Sequence, residues 1–129
     1  MKPNLTILDG EFAVHRFGPD IRIPARVFGE DFFSITRTDE ELSLVCPAAV
    51  SLDARKSEAG WSCIKVLGPL DFALTGILAE ISGVLAREKI SIFAVSTFDT
   101  DYILVKSETL KGAKAALEKN GYRFPISLP

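Results

Sequence analysis

The side chains of this 129-residue chain that could do chemistry are few: one histidine, His15, two cysteines, Cys46 and Cys63, and 17 acidic residues. A zinc site needs three or four Cys and His ligands, and these three stand far apart with no ligand-like spacing. His15 lies in an alternating stretch beside Val14 and Phe17, the setting of an ordinary strand residue and not of a general base or metal ligand. Both cysteines fall in apolar, strand-like segments, where a buried and inert thiol is expected. There is no glycine-rich phosphate loop of Walker or dinucleotide type and no nucleophile elbow. An enzyme would have to work through Asp71, Asp99 and Asp101 without a nucleophile or a metal. The expectation is a non-enzyme with no metal and no cofactor.

Two polar clusters remain. Gly68-Pro69-Leu70-Asp71 leads into a helix start, where free backbone amides and the positive end of the dipole favour a carboxylate, and Thr75 follows one turn in. Ser96-Thr97-Phe98-Asp99-Thr100-Asp101 ends a strand that is otherwise apolar, and a carboxylate there can receive an ammonium or a guanidinium. Together they describe a pocket for a zwitterion, with amides for its carboxylate and Asp71, Asp99 or Asp101 for its positive group. A capped helix and a hairpin turn would employ Asp71 and Asp99 in the same positions. If the pocket exists, its acidic residues favour a cationic side chain such as that of arginine or lysine.

The elements that must position these clusters are legible from periodicity. Leu74, Ile77, Leu78, Ile81, Val84 and Leu85 fall at helical spacing and predict a helix over 71–88. A second helix is predicted over 108–119, N-capped by Ser107 and ended by Asn120-Gly121. Segments 61–67, 90–98 and 102–106 are rich in β-branched and aromatic residues, and 122–124 reads as a short terminal strand. From Trp61 the order is therefore β-α-β-β-α-β, the ferredoxin-like arrangement of an α+β fold.

The first half resembles the second. Residues 31–46 (DFFSITRTDEELSLVC) lie over 91–106 (SIFAVSTFDTDYILVK) without a gap at an offset of sixty, and 14–19 lie over 64–69 at an offset of fifty. Ten residues are missing where the second half has its long helix, and Pro19 and Pro24 occupy the shortened stretch. Residues 47–56 support at most two or three helical turns, and 5–9 read as an extra strand joined to 11–17 by an Asp9-Gly10 hairpin. This predicts two tandem copies, 1–59 with shortened helices and 60–129 complete.

With net charge −2, no Lys/Arg run and 47% hydrophobic residues, the chain suits neither a nucleic acid nor an anionic membrane surface. It shows no secretion signal and no apolar stretch of membrane-spanning length, so the cytosol is expected.

Residues 68–77 (GPLDFALTGI) and 96–105 (STFDTDYILV), set in the β-α-β-β-α-β order, resemble the ACT domain, a small regulatory module of amino-acid metabolism. The resemblance is clearest over 61–122, and the whole chain is similar to the small tandem-ACT proteins. It implies an amino-acid-binding sensor whose ligand lies between the strand-helix loop of one unit and the strands of a neighbour. The site residues implied are Gly68, Asp71 and Thr75 on the loop and helix start, and Thr97, Phe98 and Asp101 at the strand end. It also implies side-by-side association, with a homodimer expected. The alternative is a ligand-free ACT-type interaction module that regulates a partner enzyme.

Overall fold

Alternating apolar residues are buried only where a strand finds hydrogen-bonding neighbours on its edges and a second layer on its apolar face. In the computed structural model, which describes residues 2–68 and 76–125, seven strands meet this need. They are β1 (Leu5–Ile7), β2 (Phe12–Phe17), β3 (Ser34–Arg37), β4 (Leu42–Pro47), β5 (Lys56–Val66), β6 (Ile92–Ser96) and β7 (Asp101–Lys106). Two α-helices join them, α1 (Ile77–Arg87) and α2 (Leu110–Lys119). Gly10–Trp61 forms one compact unit, inserted in sequence, and the described residues before and after it form a second, flanking unit.

In the flanking unit the strand order is β1-β5-β7-β6. Ile64 and Val66 of β5 and Ile103 and Val105 of β7 repeat at every second residue, so they share one face. Ile81, Val84 and Leu85 of α1 and Ala113 and Leu117 of α2 pack on that face in a single core with Leu5 and Tyr122. The β-α-β-β-α order predicted from Trp61 is thus present. Of the helix predicted over 71–88, α1 begins at Ile77, after Gly76 in left-handed backbone at φ 84°, which a continuous helix through that position does not allow; residues 71–75 lie outside the described residues.

Both helices end by returning the chain on a left-handed residue. Gly121 has φ 95°, and Gly121 and Tyr122 donate to the carbonyls of Glu118 and Leu117, the C-terminus that Asn120-Gly121 predicts. Lys89 does the same after α1 with φ 60°, its amide bonding Ala86 and that of Ile90 bonding Leu85. Ser107 does not cap α2. It opens a 3-10 turn, Ser107–Thr109, and its hydroxyl shares a 2.8 Å hydrogen bond with Ser62.

The edge of β5 is filled from the start of the chain. β1 pairs antiparallel with β5, Leu5 opposite Val66 and Ile7 opposite Ile64, and the hairpin expected at Asp9-Gly10 does not form. Leu5 is fully buried in this pairing, which a hairpin with residues 11–17 would not provide. The terminal segment 122–124 contributes one bridge, Arg123 to Asn4, and the Leu5 amide donates to the Arg123 carbonyl at 2.8 Å.

The inserted unit has the order β3-β4-β2-β5, all antiparallel. Its core gathers Phe17, Val27, Leu42, Leu44 and Cys46. Between β2 and β3 the only helical element is a five-residue 3-10 turn, Ala25–Gly29, which follows the two prolines and buries Val27. No helix forms over 47–56. Val50, Leu52 and Ala54 pack against the core at every second residue, which is the period of extended chain and overrides the helix start that Pro47 suggests. β5 carries a bulge opposite β2: Phe12 faces Trp61 and Val14 faces Glu58, and Gly60 absorbs the extra residue at φ 81°.

The two hairpins, β3–β4 and β6–β7, share one turn. Thr38 and Thr97 each open a four-residue loop, their amides donating to Glu41 and Thr100 at 2.9 and 2.8 Å, and their hydroxyls accepting from the amides of the same residues. This equivalence sets Thr38 over Thr97, an offset of 59, whereas the gapless sequence match is one residue longer. A one-residue slip exchanges the two faces of a strand, so identities and burial are matched in different registers. In the turn-based register the buried triplets Leu44-Val45-Cys46 and Ile103-Leu104-Val105 coincide.

Candidate functional site

The candidate site lies at one end of the flanking unit, where β5 runs out at Val66 and β7 begins at Asp101. Thr100 ties the two together: it is 5% exposed, and its hydroxyl donates to the Val66 carbonyl at 2.5 Å. The Leu67 amide continues the edge by donating to the Asn4 carbonyl. Gly68, next in the chain, is exposed. The predicted loop residue Gly68 and the predicted turn residues Thr97, Phe98 and Asp101 are therefore held at the same end of this unit. Asp71 and Thr75 lie outside the described residues.

The turn presents these groups unevenly. Phe98 is 81% exposed at its tip. The Thr97 hydroxyl is engaged in the turn, donating to the Thr100 carbonyl at 3.0 Å. Asp101 faces Ser96 across the hairpin and accepts from its hydroxyl at 2.6 Å, which orients one carboxylate oxygen and leaves the group half-buried. Thr100 and Ser96 carry roles that polarity alone does not assign to them. The available signal was the turn length: a four-residue loop between Ser96 and Asp101 makes them a cross-strand pair.

The remaining chemistry-bearing groups are in cores. His15 is 6% exposed in β2, and burial lowers its pKa. Its Nδ1 shares a 2.7 Å hydrogen bond with the Ser57 hydroxyl, and its Nε2 has no partner among the described residues. The Cys63 thiol is pushed up to about 12 by burial, and that of Cys46 is raised by burial and then by Glu30, so both are held as thiols. Among the described residues no group of three or more His, Cys, Asp or Glu side chains could hold a metal ion, and no helix is long and apolar enough to cross a membrane.

The family described as the ACT domain matches residues 56–119, which take in β5 and run to the end of α2. A separate family, described as an N-terminal domain, matches residues 10–50. The mouse cytosolic arginine sensor for mTORC1 subunit 1 is 34% identical over 82 residues, covering 63% of this chain and 24% of its own. The human protein of that name is 32% identical over 91 residues, covering 70% and 27%. The chain thus spans about a quarter of the length of these curated relatives. A crystal structure of a protein from Agrobacterium tumefaciens is 38% identical, with a TM-score of 0.89 over 100% of this chain and 96% of that one. The regulatory subunit of aspartate kinase from Thermus thermophilus, in ligand-free form, shares the fold at 12% identity, with a TM-score of 0.64 over 94% and 99%.

Proposed function

We propose, from the premise that this chain belongs to the ACT domain family through residues 56–119, that it is a regulatory protein that binds a free amino acid and is not an enzyme. The observation that supports this most directly is the Thr100–Val66 hydrogen bond, which fixes the polar hairpin turn beside the end of β5, two residues before Gly68. In this reading Gly68, Asp71 and Thr75 receive the ligand's carboxylate and Thr97, Phe98 and Asp101 its remaining groups. Asp101 is suited to a cationic group because Ser96 already orients it. The arginine sensor resembled here carries its ligand in its name, and arginine is accordingly the first amino acid to test. The ligand is held at an interface between ACT units, and association of two copies completes the site. The protein acts in the cytosol.

Thermal unfolding against all twenty amino acids tests the proposal. A ligand at about one hundred times its dissociation constant adds roughly 2.7 kcal/mol of stability. The expected result is a shift with one or two amino acids, lost when Asp71 and Asp101 are both replaced by alanine. Ligand must also move the dimerisation constant, since a switch works only through unequal affinity for two states. A second reading, a ligand-free module that docks on a partner enzyme, is favoured by the exposure of Phe98 and of Leu67 at the same end of the unit. A flat thermal response together with a partner that survives dialysis would select it.

A further inference from the structure

The inserted unit holds a cleft of about 330 Å³ at the end of β2, lined by Phe17, Gly18, Pro19, Ile21, Asp53 and Arg55, with Asp20 at its side. That volume is at the small end of sites that take small molecules. Gly18 and Arg55 are fitted to each other. A Cβ on Gly18 would lie 3.1 Å from a terminal nitrogen of the Arg55 guanidinium and 3.4 Å from its central carbon, so the guanidinium lies close against the backbone at Gly18 and a side chain there would push it outward by a few tenths of an ångström. The Arg55 amide donates to the Arg16 carbonyl at 3.0 Å, which anchors the base of the side chain.

Pro19 and Asp20 are held independently of Arg55. Arg37 donates through Nε to the Pro19 carbonyl at 2.7 Å and pairs with Asp20 at 3.6 Å, so Asp20 already has its cation. Asp53 and Arg55 differ. They line the same cleft with opposite charge, yet among the described residues neither is in an ion pair, with each other or with a third group. A carboxylate and a guanidinium that line one cleft with Phe17, Pro19 and Ile21 match a small zwitterion with an apolar body.

We propose that this cleft binds a free amino acid with an apolar side chain. The Arg55 guanidinium takes its carboxylate as a bidentate pair, Asp53 takes its ammonium, and Phe17, Pro19 and Ile21 take its side chain. The site is separate from the one at Gly68 and does not depend on it. It also gives the loop that follows β2 a carboxylate receptor in place of a helix N-terminus.

The test is a titration of the full-length, 15N-labelled protein with leucine, isoleucine, valine, methionine and phenylalanine, followed by amide and arginine Nε–H signals. At least one is expected to move the Gly18 and Ile21 amides and the Arg55 Nε–H saturably. Arg55→Gln and Asp53→Asn, both at exposed positions, are each expected to weaken binding by about tenfold or more. For leucine as probe, 4-methylpentanoate and 3-methylbutylamine, which each lack one charge, are expected to bind more weakly. The proposal is overturned if none of the five moves these signals, if Arg55→Gln leaves the affinity unchanged, or if the uncharged-end analogues bind as well as leucine. Shifts confined to Gly68 and to residues 97–101 would overturn it while supporting the site in the flanking unit.

Discussion

His15, the one histidine of the chain, is placed by burial and not by a charged partner. It is buried in β2 with one ring nitrogen bonded to Ser57 and the other without a partner, so protonation would place a charge where little can receive it. Burial accordingly lowers its pKa below the ordinary value of 6.5. A depressed folded-state value means that the unfolded chain binds the proton first. Its contribution to stability is therefore fully present above about pH 6.5 and is lost as pH falls toward the lowered folded value. Urea midpoints between pH 7.5 and pH 5 are expected to fall for the native protein and to fall less for His15→Gln, which carries no titrating ring. Equal slopes in the two proteins would show that His15 does not titrate on unfolding. Glu80 works in the same direction in a more acidic window. It is bonded by the Tyr122 hydroxyl at 2.5 Å and by Lys2 at 3.0 Å, which lower its pKa, so it favours the fold above the carboxylate range.

At the scale of elements, β1 carries a consequence for where a folding unit can be cut. Leu5 is fully buried against Ile64 and Val66, and Lys2 reaches Glu80, the Asn120 carbonyl and the face of Tyr122. Leu5→Ala is expected to cost about 2–5 kcal/mol, the range for a buried leucine that leaves a cavity, measured by urea unfolding. A segment of residues 60–129 alone lacks this strand and leaves the edge of β5 open. Circular dichroism is expected to show it poorly folded, and a chain that joins 2–9 to 62–129 through a short linker is expected to regain the helical signal. A cooperatively folded 60–129 would show that β1 is dispensable. The periodic elements α1, α2, β6 and β7 were legible because each buries one face and its spacing records which. The partner of β1 was not, because strand pairing over sixty residues leaves no local trace, and a short apolar run beside Asp9-Gly10 carries an equally good hairpin signal. The helix expected over 47–56 failed for a readable reason, the alternation of Val50, Leu52 and Ala54. The shared turn aligns the two hairpins one residue away from the gapless sequence match, because identities such as Leu44 with Leu104 follow a different register from the turn. Of the candidate site, polarity at a strand end points to the 96–101 turn, and the ACT resemblance implies Gly68, Thr97, Phe98 and Asp101 as its residues. Arg55 and Asp53 were not legible, because a cleft made by residues so far from Gly18 in sequence is visible only in three dimensions.

At the scale of the whole chain, β5 is the one strand whose residues serve both compact units, since Trp61 closes the inserted unit and Ser62 opens the other. It begins directly after Arg55 and ends just before Gly68, so in sequence it joins the two candidate ligand sites. A backbone defect within it should be felt by both units if they unfold together. Gly60 offers such a defect without a change in packing. At φ 81° it holds the bulge, and a Cβ there would meet nothing within 4 Å, so Gly60→Ala adds only the strain of a side chain in left-handed backbone. That strain is expected to cost about 1–2 kcal/mol. Trp61, the only tryptophan, reports the inserted unit by fluorescence, and slow amide exchange at Ile103, Leu104 and Val105 reports β7 in the other. In a cooperative molecule Gly60→Ala lowers the stability read by both probes equally, because the same global opening exposes both. If only the Trp61 transition moves, the units unfold separately, and a ligand bound to one of them would stabilise that unit without informing the other.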